Sequence, residues 1–206
     1  FCYWHYWFGD GKQLLERPFQ EVLDSGKPDF PFCLGWANHS WKGVFFGAKG
    51  QKLIEQRYLG RKDAEDHFNY LLKAFMDPRY IQVSGMPLLH IFSPKSIPNC
   101  KEYLDFWRLL ALKAGLKGLY IVGESLTLLE KDKYGVDAVP YTSHRKIESG
   151  NINNKYLAFF YRKLFRLPKS LKVFKYRDAI KYFTRNEVCP DDEFPYIIPN
   201  WDTTAR

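Results

Sequence analysis

Two carboxylates, Glu124 and Asp202, stand where apolar runs of the sequence give way to polar residues, and each could act as a proton donor, a proton acceptor or a fixed negative charge. Groups that hydrogen-bond or stack occur in similar settings. The run at residues 31–41, P-F-C-L-G-W-A-N-H-S-W, carries Trp36 and closes in Asn38, His39 and Trp41. His5 and Trp7 share one face of the aromatic run F-C-Y-W-H-Y-W-F by the two-residue period of a strand. His90 lies at the end of the run that starts at Met86, and Trp201 precedes Asp202. Glu55 is a third carboxylate, in a long Gly-containing stretch at 42–60. Flat rings beside short polar heads suit a ligand with hydroxyl groups and an apolar face. They suit equally a core whose polar groups satisfy one another, since buried aromatics mostly pack. His5 and His90 read as hydroxyl-binding rather than titrating groups. The histidines and acids show no metal-ligand spacing, so neither a metal nor a cofactor is expected.

Such residues need strands to hold them. Runs of strand character begin near Phe1, Pro31, Met86, Leu119, Asp137 and Phe194. Helical patterns lie between them: a short one with Pro18 in its first turn and Gly26 at its end, and one at 63–75 with Ala64, His67, Phe68, Leu71 and Phe75 on one face. A third starts at Asn99, with Glu102 placed for a capping box, and carries Leu104, Trp107 and Ala111. Ser84-Gly85 marks a hairpin turn. This β–α alternation predicts a parallel sheet. His5, Asn38, His90, Glu124 and Asp202 all fall at predicted strand exits, which argues for one shared mouth at the carboxyl ends, as in a (β/α)8 barrel. The expected fold class is therefore α/β, a (β/α)8 TIM-like barrel, incomplete with about six of its eight strands, the first and last missing. A doubly wound open sheet is the alternative, but no GxGxxG phosphate loop follows any strand.

The bulk numbers fit one domain over residues 1–206: 46% hydrophobic, 26% charged and a high 18% aromatic. Four separated cysteines, Cys2, Cys33, Cys100 and Cys189, read as free thiols of a reducing compartment. With no membrane-length apolar run, a cytoplasmic location is expected, peripheral contact with the inner membrane being an option. Most of the net charge of +8 lies in a basic amphipathic helical segment at about 150–186, where residues 155–185 hold the single acid Asp178. That segment could meet an anionic membrane, or be a barrel helix with a solvated cationic back. No nucleic-acid recognition motif accompanies the charge.

The runs C-Y-W-H-Y-W-F, P-D-F-P-F-C-L-G-W-A-N, R-Y-I, the I-P after Ser96 and W-D-T-T-A-R resemble the WbsX-like proteins of bacterial O-antigen and surface-polysaccharide gene clusters. These are described as glycosyltransferases and are similar to the glycoside hydrolase family 99 barrel. The resemblance covers essentially the whole chain. It implies a (β/α)8 barrel with one strand before Phe1 and another after Arg206. That later strand typically ends in a Trp-Asn-Glu-Trp-x-Glu-Gly-like segment, the expected home of paired catalytic carboxylates. Its absence makes the chain a fragment or an inactive remnant. Where the family often has Glu after Trp-Ala-Asn, this sequence has His39, and the Asp-Asn-Thr after the final Trp is Asp202-Thr203-Thr204.

The resemblance implies glycosyl transfer in lipopolysaccharide O-antigen assembly, on a saccharide, sugar-nucleotide or lipid-linked glycan. Glycoside hydrolysis and a catalytically inactive glycan-binding barrel remain open, as does an unrelated basic interaction protein. Transfer and hydrolysis both need charge beside an oxocarbenium-like centre and a proton relay for the leaving oxygen. That requirement puts Glu124 and Asp202 forward as catalytic candidates, with His5, Trp7, Trp36, Asn38, His39, Trp41, Glu55, His90 and Trp201 as substrate-binding ones.

Overall fold

The computed structural model describes residues 1–43, 51–141, 163–165, 180 and 190–194. The chain falls into two compact units, the first over Phe1–Val139 and the second over Pro140–Trp201. In the first, four parallel strands lie side by side in chain order: β1 (Cys2–His5), β2 (Cys33–Trp36), β6 (Met86–Ile91) and β7 (Tyr120–Gly123). A parallel bridge from Val122 to Ala138 continues the order. Every step moves in the same direction. Because parallel crossovers are right-handed, a sheet wound one way carries all its helices on one face, whereas a doubly wound sheet reverses and carries them on both. The described sheet is wound one way.

The helices are α1 (Arg17–Ser25), α2 (Arg61–Phe75), α3 (Cys100–Lys113) and the short α4 (Lys131–Tyr134). Phe19 of α1, Phe68, Leu71 and Phe75 of α2, and Leu104 and Trp107 of α3 form one buried cluster with Leu34, Trp36, Leu89, Ile91 and Ile121 of the strands. In the strand registers Tyr3, Leu34, Leu89 and Ile121 are paired neighbours, as are His5, Trp36, Ile91 and Gly123. This set of alternate residues faces the helices. The intervening set, Trp4, Gly35, His90 and Val122, faces the other way.

Two local expectations are corrected. Asn99 precedes α3 in the left-handed region (φ 45°) and its side chain makes no cap bond; the capping box forms instead between Thr127 and Glu130. The stretch at 42–60 is not simply a loop, because β3 (Trp41–Lys42) and β4 (Lys52–Ile54) pair antiparallel across it. The expected hairpin is present: β5 (Gln82–Val83) pairs with β6 through Ser84 (φ 52°) and Gly85 (φ 80°), and consecutive positive φ angles match the twist of a two-residue hairpin. Cys2, Cys33 and Cys100 are free thiols. Of the second unit, β8 (Val139–Pro140) contributes Pro140, and the Tyr141 N–H donates to the Phe194 carbonyl at 2.7 Å beside β9 (Glu193–Phe194). The basic segment lies outside the described residues apart from 163–165 and 180.

Candidate functional site

The two faces of the sheet separate the candidate residues. His5, at the end of β1, faces α2: its Nε2 lies 2.8 Å from Nε2 of His67, and both rings are buried. Trp7 stacks on His67 at 4.7 Å with the planes 5° apart and donates its indole N–H to Asp63. Trp36 is 1% exposed, meets His67 edge-on, and donates its indole N–H to the Trp7 carbonyl. His5, Trp7 and Trp36, expected as substrate contacts, are thus placed on the buried, helix-facing side of the sheet. They share one face, as the period of two requires, but that face is the one sealed by α2 and α3.

Among the described residues, neither buried histidine has an acidic partner at ion-pair distance. Burial pushes His5 down to about 3 from its ordinary 6.5, and burial together with its neighbour His5 pushes His67 well down. Among the described residues, Nδ1 of His67 is buried with no hydrogen-bond partner. An orphaned acceptor is less costly than an orphaned N–H, which assigns the proton of His67 to Nε2, donating to His5.

Asn38 is fully buried and fully engaged. Its amide donates to the Ser93 carbonyl (2.8 Å) and the Tyr58 hydroxyl (3.0 Å), and its oxygen accepts the Ser93 N–H (2.7 Å). These bonds tie the exit of β2 to the exit of β6, so Asn38, expected as a ligand contact, clamps the two strand ends. Glu55 is exposed on the surface and ion-paired with Lys52, which holds its carboxyl below the usual range. Trp41 meets Tyr6 and Phe8 edge-on, with centroids 5.3 and 5.7 Å away. Trp201 and Asp202 lie outside the described residues.

The opposite face brings a different group together. Trp4, 41% exposed, stands beside His90 (5.6 Å between ring centroids) and Phe92 (6.0 Å). His39, exposed at the exit of β2, lies 5.0 Å from Phe92. Glu124 follows β7, and its N–H donates to the Ile91 carbonyl at 2.8 Å, extending the ladder by one bond. Its Oε2 is 3.4 Å from Nε2 of His90, with both side chains 19% exposed. A carboxylate, two imidazoles and two aromatic rings thus converge at the carboxyl ends of β1, β2, β6 and β7. Of these five, His39, His90 and Glu124 are among the residues the sequence puts forward, and Trp4 and Phe92 are not. The alternation of β2, whose Leu34 and Trp36 are the bulky apolar positions, was the signal for Trp4, because parallel pairing gives Tyr3 and His5 the same side.

All of residues 1–206 match the model of the glycosyltransferase WbsX family. The chain belongs to the WbsX family. The WbsX-family chain is 32% identical over 207 residues to the uncharacterized protein WxcX of Xanthomonas campestris pv. campestris strain B100, covering 100% of this chain and 29% of that protein. WxcX of strain ATCC 33913 is 32% identical over 108 residues, 52% of this chain and 15% of the relative. The chain therefore spans less than a third of the length of these curated relatives. Among solved structures, a glycoside hydrolase-like protein aligns with a TM-score of 0.39 and 17% identity over 70% of this chain and 44% of its own. Among the described residues, no helix is long and apolar enough to cross a membrane.

Proposed function

We propose that this chain forms part of a (β/α)8 barrel and supplies one side of its saccharide site, on the sheet face that carries Trp4, His39, His90, Phe92 and Glu124. The observation that carries the reading is the convergence of these five side chains, each from a strand end or its exit, on the face away from the helices. The one-way winding of the sheet supports the barrel, since that is the order in which barrel strands follow one another. A partly exposed indole gives the apolar face of a sugar ring a surface to lie on, and a carboxylate beside an imidazole accepts and donates hydrogen bonds to hydroxyls.

Within the WbsX family, the reaction this reading favours is glycosyl transfer in the assembly of a bacterial surface polysaccharide. Glu124 is one charged group of the site, and its partner carboxylate would come from Asp202 or from sequence the relatives have and this chain does not. Hydrolysis is the competing outcome, and fold alone does not choose between the two. Incubating the full-length protein with nucleoside diphosphate sugars and, separately, with oligosaccharides separates them. Release of nucleoside diphosphate only in the presence of an acceptor supports transfer. Release of new reducing ends supports hydrolysis, and neither product leaves a non-catalytic glycan-binding role. Contact of residues 155–185 with anionic lipid is a separate proposal: flotation with anionic vesicles that is lost in neutral ones would support it, and equal behaviour in both would remove it.

A further inference from the structure

The geometry points to a division of labour on this face: Glu124 is the carboxylate that meets the sugar, His90 is a positioning residue beside it, and Gly35 is the glycine that makes room for His90 and Trp4. This inference rests on the saccharide reading above.

The backbone of Glu124 is fixed from both sides. A Cβ on Gly123 would lie 2.9 Å from Val136 Cγ1, 3.0 Å from Leu126 Cδ1 and 3.1 Å from Pro94 Cγ. Three packed side chains close over that position, so a larger residue there would displace the strand end. Ser125, the next residue on, has φ 64°, a left-handed conformation uncommon for a residue with a side chain. Strain of this kind is kept where the surroundings impose it, and it clusters at working sites. Between the two, the Glu124 N–H is held by the Ile91 carbonyl.

The side chain has one neighbour at ion-pair distance: Oε2 faces His90 Nε2 at 3.4 Å, and among the described residues no other basic side chain lies that close to this carboxylate. His90 in turn sits over Gly35 in the centre of the sheet. A Cβ at position 35 would lie 3.2 Å from His90 Nδ1, 3.2 Å from Trp4 Cε3 and 3.2 Å from Cys2 Sγ. Glycine weakens a strand interior, and its presence there marks a close approach of neighbours. Here the neighbours are the indole and the imidazole of the site. An alanine would push Trp4 and His90 apart, and with His90 the carboxylate beside it.

The test uses the full-length protein and methyl α-glucoside, α-galactoside and α-mannoside as probes. Binding is followed by tryptophan fluorescence, and the histidine ring nitrogens by 15N NMR. Glu124→Gln and His90→Ala are each expected to weaken binding on the order of tenfold, the scale of a lost charge-assisted hydrogen bond. His90→Gln, which keeps an N–H near the position of Nε2, is expected to restore binding to within about threefold. Gly35→Ala is expected to weaken binding in the wild type and to add nothing in a His90→Ala background. Glu124→Gln should also shift the His90 Nε2 resonance without any sugar present. Unchanged binding in His90→Ala and Gly35→Ala, with binding lost in Glu124→Gln, overturns the positioning roles and leaves the saccharide site standing. An unmoved His90 resonance in Glu124→Gln likewise overturns the pairing. No binding of any probe, or binding that neither Glu124→Gln nor Trp4→Ala affects, removes the saccharide reading and the role of Glu124 with it. Circular dichroism of each variant identifies a failure to fold; if Gly35→Ala fails, the His90→Ala and His90→Gln pair decides.

Discussion

Mild acid should destabilise this protein through its buried histidine pair, and the size of the effect follows from the burial of His5. A histidine whose folded pKa lies below its unfolded one contributes stability that is present above the unfolded value and lost as pH falls towards the folded one. For His5 that window runs from 6.5 down to about 3. Between pH 7 and pH 5 the unfolded chain gains about three-quarters of a proton at this residue and the folded chain almost none, a loss of about 2 kcal/mol. His67, also pushed down by burial, adds a loss of the same sign. Urea unfolding at the two pH values, followed by tryptophan fluorescence, measures the change, and Trp7 stacked on His67 makes the signal local. His5→Gln keeps a hydrogen-bonding group beside His67 but cannot titrate. Its stability should fall by about 2 kcal/mol less than that of the wild type over the same interval. Parallel stability–pH curves for the two proteins, or a wild type that gains stability towards pH 5, would refute the reasoning.

Other expectations follow from single groups. Asn38→Ala leaves the Ser93 N–H and carbonyl without their partner and should cost about 2–3 kcal/mol in urea unfolding, because buried backbone groups lose bonds that water does not replace. Tyr80→Phe removes the hydroxyl that accepts the Leu34 N–H (3.1 Å) and donates to the Leu88 carbonyl (2.8 Å), for a loss of about 1–3 kcal/mol by the same assay. Trp4→Ala should leave stability within about 1 kcal/mol, since the ring is 41% exposed. It should weaken saccharide binding by about 2- to 10-fold, the scale of one aromatic contact. Binding isotherms on the folded variant check this.

The order of strands and helices was legible because it is written in periodicity. Phe68, Leu71 and Phe75 repeat at helical spacing, and the strands of the sheet are short apolar runs between turn residues. Which side each strand residue faces was harder to read. A strand offers two faces that differ by one residue, and a polar side chain does not reveal which face meets solvent. His5 is polar at a strand end, and its partner inside is His67, a residue 62 positions away whose pairing no local pattern announces. The bonds of Asn38 to Ser93 and Tyr58 are equally silent in the local sequence. Trp4 went unnoticed because an aromatic strand reads as core throughout, and its exposure depends on the helices lying on one side alone. His90 lies near the end of an apolar run and Glu124 just after one, and both fall on the face the helices leave open.

The central claim is that the sheet face opposite the helices holds the saccharide. A crystal structure of the full-length protein with its bound sugar tests it most directly. The account predicts a sugar ring lying against Trp4 with a hydroxyl within hydrogen-bond distance of Glu124. A sugar bound elsewhere, with Trp4, His90 and Glu124 covered by other parts of the protein, would contradict it.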